Sequence, residues 1–466
     1  MGISSPGIGS GLDISAIVSS LISAEQAPAE SRFNRNEATY QAKVSALGML
    51  KSSLSSFQSS LTTLKDITTF QKRSTSSTDS TLVSASADET ASEGSYSVAI
   101  NRLAQAHKMG SADHLNTATF GGTVGDTFTA TVGTNTLTVD ISTAMTLDEL
   151  NTAINSAAAT SGVALSSTVI TGNGGIQKLT LTSNTDGYDN RVQIGVGGVP
   201  NAIETTLGLA TINTDSAGVL LTADTQLDSE MVVDGLTLTR ASNTVTDVIT
   251  GVTLNLKDIT TSAETITVSL DTNSVKSAVN NFVTSYNDLM TTMDQLSAFD
   301  PVTGTRSVLL GDATLRTVEY ALRNELSKTV SGVTGSFDSL SSIGITTERD
   351  GSITLDSTVL DTAITNNFDD IGQLFASTDG VANRFDTLVD AYASSSGIID
   401  ARVDSINVSI SDIGDQRTAL TRRLDKLETR YFAQFNAMDL MVNQLQATSS
   451  YLTGAFEALP GSTFKK

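Results

Sequence analysis

The sequence predicts a multidomain α+β chain: an α-helical coiled-coil leg built from both chain ends, with β-rich head domains nested between them. Three observations predict it. Apolar residues recur at heptad spacing toward both ends, the middle alternates apolar with polar residues, and turn dipeptides punctuate that middle. The 466 residues suit about three domains. Aromatics make up 5% and tryptophan is absent, which favours thin layers and long helices over one massive core. A net charge of −22 argues against nucleic acid or an anionic membrane as the main partner. No cysteine is present, which removes disulfides, thiolate metal sites and cysteine nucleophiles together. No apolar run approaches the ~18 residues of a membrane helix, so membrane insertion is not expected.

In `GLDISAIVSSLISAEQ`, Ile14, Ile17, Val18, Leu21 and Ile22 fall on one helical face. The first cationic side chain after Met1 is Arg32, so no positive region precedes this apolar run, as a cleaved secretion signal would require. Leu47, Leu54 and Leu61 alternate with Leu50, Phe57 and Leu64 as a and d positions. The Ser/Thr connector at 74–90 ends that pattern, and `YSVAINRLA` begins β alternation. Turns follow at Asn173-Gly174, Asp186-Gly187 and Asp234-Gly235, the last inside the hairpin `MVVDGLTLTR`. One helix interrupts the strands, with Thr146 as N-cap and Glu149 three residues on. Helical period returns with Val279, Phe282, Val283, Tyr286, Met290 and Met293. From Ile399 the heptads run with Val403, Ile410, Arg417, Leu424, Tyr431, Met438, Leu445 and Leu452 at a. Ile406, Ile413, Leu420, Leu427, Gln434, Met441 and Thr448 stand at d. Narrow stripes of this kind need a helical partner, and the two termini supply each other with one, within a chain or between subunits. All five prolines (Pro6, Pro28, Pro200, Pro301, Pro460) lie outside the strong heptads.

Four divisions are expected. Residues 1–45 and 418–466 are terminal coiled-coil segments, poorly ordered in a free monomer because isolated helices are marginal in water. Residues 46–77 with 275–417 form the leg, 78–120 with 224–274 an inner β-rich head, and 121–223 an outer one.

No catalytic, cofactor-binding or metal-binding set emerges. His107 and His114 sit seven apart after `INRLA`, in what reads as irregular chain, without the spacing of a zinc helix. The Asp-rich `SNTDGYDN` misses calcium-loop spacing, and `GNGGIQK` lacks the Lys-Ser/Thr of a phosphate loop. Asp, Asn and Gly there suit turns. The cluster Arg417, Arg422, Arg423, Lys426, Arg430 reads first as a solvated face, with Arg423 and Glu428 spaced for an interhelical ion pair. Arg417 at an a position weakens the seam but can specify register. In `LLGDATLRTVEYALRNELS`, Arg316, Glu319 and Arg323 flank an apolar face; Glu319 and Arg323 make an ordinary i, i+4 pair or a contact to another subunit. Leu47, Leu54, Leu61, Arg417, Leu424, Leu427 and Tyr431 are the other candidate contacts.

Several segments resemble the bacterial flagellar cap family, hook-associated protein 2. They are `GIGSGLDISAIVSSLISAE`, `GSYSVAINRLAQAHK`, `VVDGLTLTRASNTVTDVITGVTLNL`, `VNNFVTSYNDLM`, `LLGDATLRTVEYALRNEL` and `LSSIGITTERDGSITLD`. `ELNTAINSAAATSGVALSS` with `LTLTSNTDGYDN` is similar to a small repeat of flagellar hook and flagellin proteins. The resemblance implies an extracellular structural cap at the filament tip, exported by the flagellar type III apparatus without a cleaved signal. It implies a small, pentamer-like ring of copies whose heads form a plate and whose legs reach the filament. The implied partners are flagellin, junction proteins and an export chaperone, with a host glycan or mucin as a further ligand of the outer head. Two other readings are a flagellin-like filament or junction protein, against which the flagellin-like opening is missing, and an adhesin on a coiled-coil stalk.

Overall fold

The computed structural model describes residues 11–333 and 335–457, so Pro6, Pro460 and the outermost residues of both end motifs lie outside the described residues. The described chain forms two compact units: residues before 70 together with those after 272, and residues 70–272.

The first unit is mainly helical. Its first helix, α1 (Ile14–Lys65), starts at Asp13, whose carboxylate accepts the Ala16 N–H at 2.9 Å. All six a/d residues named above, Leu47, Leu50, Leu54, Phe57, Leu61 and Leu64, are fully buried on it. Pro28 lies inside α1, so although it avoids the strong heptads it does not fall between helices; its missing N–H removes the one backbone bond that would run to the Ala24 carbonyl. The last helix, α9 (Ile398–Glu457), is 60 residues long. Five smaller helices complete the described part of the unit: α4 (Thr272–Ser297), α5 (Ala313–Leu326), α6 (Ser357–Asn366), α7 (Phe368–Ala376) and α8 (Val381–Ala393). Asp312 and Asp356 cap α5 and α6. Phe57 of α1 stands at the centre, its ring 5.8 Å from Phe282 and Tyr286 of α4 and 5.4 Å from Phe385 of α8. The Tyr286 hydroxyl is buried with no hydrogen-bond partner among the described residues, and burial raises its pKa. A short hairpin is tied to α4 by Asn287, whose amide donates to the Ile353 carbonyl and accepts the Ile353 N–H.

The second unit holds two β-rich cores. One antiparallel sheet runs β1 (Arg73–Ser77), β18 (Glu264–Leu270), β3 (Gly94–Arg102), β14 (Ser229–Val233) and β15 (Leu236–Arg240). It shares a core of Val98, Ile100, Met231, Leu254 and Ile266 with β16 (Thr244–Ile249), β17 (Val252–Leu256) and β2 (Val83–Ala87). Asp234 and Gly235 both have positive φ, 46° and 85°, which gives the β14–β15 hairpin the turn its Asp-Gly pair predicts.

The other core, around Phe128, Leu150, Ile154, Leu179 and Leu181, packs α2 (Leu147–Ser161) on two sheets. One contains β10 (Leu165–Thr171), β11 (Ile176–Asp186), β4 (Ala106–Gly110) and β13 (Ala210–Thr211), with β5 (His114–Leu115) beside β11. The other is β12 (Val192–Ile194), β7 (Thr127–Val132) and β8 (Asn135–Asp140). A two-residue pair, β6 (Thr119–Phe120) with β9 (Met145–Thr146), leads into α2, and α3 (Ala202–Leu207) follows β12. Thr146 and Glu149 form the expected capping box, with Glu149 accepting the Thr146 N–H at 2.9 Å. His107 and His114 are strand residues of β4 and β5, not parts of irregular chain. His107 is 1% exposed, accepts the Val192 N–H at Nδ1 and bonds Thr211 through Nε2, each at 2.9 Å. His114 packs edge-on against Phe120.

Candidate functional site

The heptads at the two ends of the chain meet as an antiparallel pair, α1 against α9. Polar contacts fix the register. Lys51 bonds Asp400 at 2.6 Å, and seventeen residues along α9, Arg417 reaches Asn34, seventeen residues back along α1. The a-position Arg417 therefore spans the seam. Its Nη1 donates to Glu37 at 2.7 Å, its Nε to Glu30 at 3.3 Å and its Nη2 to Asn34 at 2.5 Å. The Glu37 hydrogen bond leads the causes that raise the Arg417 pKa, so the guanidinium stays charged. Glu30 and Glu37 lie one heptad apart, the one sequence signal that matched them to a cation at an a position.

Around this clasp the seam is apolar. Ile14, Val18 and Phe33 are buried on α1, and Ile399, Ile406, Ile413 and Leu424 on α9. Leu427 and Tyr431 are half-buried. Arg423 pairs with Glu25 at 2.9 Å across the helices; its expected partner Glu428 takes no part in that pair. With Arg422, Lys426 and Arg430, it lines a shallow basic groove beside Tyr431. The same register sets Ile14 opposite Ala437, and beyond that turn the heptad residues lose their cover: Met438, Met441, Leu445 and Leu452 are all exposed. Among the described residues, the stripe at the far end of α9 has no partner on α1, which begins at Ile14.

The second group of candidates lies on α5. Leu315, Val318 and Leu322 face inward, while Arg316 and Tyr320 are exposed. Arg323 bonds Glu319 at 3.1 Å and the Arg349 carbonyl at 3.2 Å, so that pair is engaged within the chain. The end of α5 is fastened by Glu325, 7% exposed, which pairs with Arg384 of α8 at 2.6 Å and with Lys328 at 2.7 Å. Sequence patterning placed Glu325 among the charges beside the apolar face but did not single out Tyr320 or Arg384. Among the described residues, no three metal-ligating side chains converge, and no helix is long and apolar enough to cross a membrane.

A long antiparallel pair of terminal helices locked by charges, with a β-rich middle between them in sequence, defines a structural class of protein without a convergent chemical site among the described residues. The comparisons give its kind. The model of the flagellar hook-associated protein 2 N-terminus matches residues 10–107, and that of its C-terminus matches residues 227–447. The chain is 31% identical to the A-type flagellar hook-associated protein 2 of Pseudomonas aeruginosa, over 98% of this chain and 97% of the relative. It is 33% identical to the flagellar hook-associated protein 2 of Escherichia coli K12, over 98% of each. Its fold is similar to the D1-D2-D3 domains of the flagellar cap protein FliD from Escherichia coli, with TM-score 0.62 and 29% identity, covering 78% of this chain and 99% of that one. The chain belongs to the flagellar hook-associated protein 2 family, and so is a structural part of the bacterial flagellum, the filament cap.

Proposed function

We propose that the protein sits at the distal tip of the growing filament, where it holds emerging flagellin until the subunit inserts and so prevents its loss to the medium. The carrying observation is the near full-length likeness to hook-associated protein 2, which spans both terminal helices and the β-rich middle. It reaches the tip through the flagellar type III apparatus. Its work is binding and positioning, not catalysis. Copies assemble into a small ring, and flagellin is the client beneath it; an export chaperone and the junction proteins are further partners.

Within that ring, residues 46–77 and 275–417 serve as the leg and the segments 78–120, 224–274 and 121–223 as the heads. The terminal segments 1–45 and 418–466 engage the filament. The register lock at Arg417 with Leu424, Leu427 and Tyr431, and the α5 face of Arg316, Glu319 and Arg323, are the contact residues of this reading, while Leu47, Leu54 and Leu61, buried within the chain, support the leg from inside. Complementary charge at such faces sets register and partner choice more than affinity.

The test is electron microscopy of purified filaments decorated with a gold-labelled antibody to this protein. Label confined to the tips is expected. Label along the shaft places the protein among filament subunits instead, and label at the hook junction makes it a junction protein.

A further inference from the structure

We propose that Asn173, in the turn between β10 and β11, is a site of self-modification, where backbone attack expels the side-chain amide and leaves aspartate and isoaspartate. Asn or Asp precedes Gly at five places in the chain: Asn173, Asp186, Asp234, Asp350 and Asp379. A glycine carries no side chain to hinder its own nitrogen, and its backbone turns freely, so that nitrogen can close on the side chain before it. Closure requires a side chain free to swing, a backbone N–H not held by an acceptor, and access for water.

At four of the five places the fold withholds at least one of these. Asp234 Oδ1 accepts the Ser97 N–H at 2.8 Å. Asp350 Oδ1 accepts the Ser352 N–H at 3.0 Å, and the Gly351 N–H donates to the Glu348 carbonyl at 3.0 Å. Asp379 Oδ2 accepts the Ser331 N–H at 2.8 Å and its hydroxyl at 2.6 Å, while the Gly380 N–H donates to the Ser377 carbonyl. After Asp186, the Gly187 N–H donates to the Gln105 carbonyl at 3.0 Å, and the glycine backs so closely onto Ala241 that a Cβ there would collide. A carboxylate must also be protonated before a nitrogen displaces its oxygen, a condition that an amide does not carry.

Asn173 is under none of these restraints. It is exposed, and its amide makes no hydrogen bond among the described residues. The bonds that hold the turn pass it by: the Gly172 N–H donates to the Ile176 carbonyl and the Asn116 N–H to the Gly175 carbonyl, each at 2.7 Å. The Gly174 N–H reaches no acceptor outside the turn, and open space surrounds the Gly174 Cα. In the reaction the Gly174 nitrogen attacks Asn173 Cγ. The N–Cγ bond forms, the Cγ–Nδ2 bond breaks, and the amide leaves as ammonia with the proton from Gly174, which closes a cyclic imide. Water then opens the imide at the side-chain carbonyl, giving aspartate, or at the main-chain carbonyl, giving isoaspartate with a backbone longer by a methylene. No electron is transferred, and water is the only co-reactant. Either product adds a negative charge to the turn.

The test incubates the folded full-length protein for weeks in mildly alkaline buffer and maps its peptides by mass spectrometry. Conversion of amide to acid is expected at Asn173, with isoaspartate among the products and none at the four Asp-Gly positions. A parallel sample in guanidinium chloride lifts the restraints of the fold. There isoaspartate should appear at Asp186, Asp234, Asp350 and Asp379 as well, while the rate at Asn173 stays close to that in the folded chain. Asn173→Ser should abolish the early mass gain, and an unchanged gain in that variant would place the loss at another amide and overturn the proposal. Asn173 kept as an amide in the folded chain would overturn it too. If the four Asp-Gly positions stay unchanged in guanidinium chloride, or convert in the folded chain as fast as Asn173, the fold is not what singles out Asn173 and the proposal falls.

Discussion

Phe57 shows how few side chains carry the helical unit. It is fully buried, and its ring contacts those of Phe282, Tyr286 and Phe385, which arrive from two further helices. Truncation to alanine removes the shared partner of all three and leaves a cavity, so Phe57→Ala should cost about 3–5 kcal/mol in urea unfolding. Tyr286 predicts the opposite sign. Its buried hydroxyl has no partner among the described residues, so Tyr286→Phe removes a desolvated polar group and keeps the ring. That variant should match or exceed the parent by on the order of 1 kcal/mol; a clear loss would mean that the hydroxyl is hydrogen-bonded. Both aromatics were visible in the heptad and helix patterns. Their meeting was not, because Phe57 and Tyr286 are brought together by tertiary packing across the whole β-rich insertion. The same holds for Arg417: the sequence marked it as a misfit at an a position, while its acceptors Glu30, Asn34 and Glu37 lie at the opposite end of the chain.

Elements built from local rules were legible. The α2 capping box and the Asp-Gly hairpin of β14–β15 depend on residues within a few positions of each other, and both formed as patterned. Pro28 and the histidines were less legible, because neighbours distant in sequence decide them. Pro28 is tolerated in α1, where Glu25–Arg423 and Glu30–Arg417 pair across the seam on either side of it. His107 joins β4 to β12 by accepting the Val192 N–H, which requires an unprotonated Nδ1. Burial pushes its pKa down, Asp224 opposes this from 3.9 Å, and Arg191 adds to the depression. The sign follows. The unfolded chain takes up a proton near the ordinary histidine pKa of about 6.5, whereas the folded chain resists it. Stability of this β-rich core is therefore full above that pH and falls below it, by at most about 1.4 kcal/mol per pH unit. Protection factors at β4 and β12, with exchange rates corrected for their intrinsic pH dependence, should fall between pH 7.5 and 5.5, and His107→Gln should flatten that fall. Equal slopes in the two proteins would show that other groups set it.

At the scale of the molecule, the sequence carried the alternation of helix, strand and helix because burial periodicity survives without any knowledge of the partner. It also carried the family, through motifs spread in order along the chain. It did not carry where the described α9 seam stops: Leu445 and Leu452 continue the heptad perfectly well, yet both are exposed among the described residues. The Arg417 clasp and the long terminal helices it joins suit the structural role that the family defines. The most direct measurement is a clean deletion of its gene, scored by filament length and by flagellin in the culture medium. The account predicts hooks without filaments and abundant unpolymerised flagellin, with filaments restored by the unaltered gene. Long filaments in the deletion strain would contradict it.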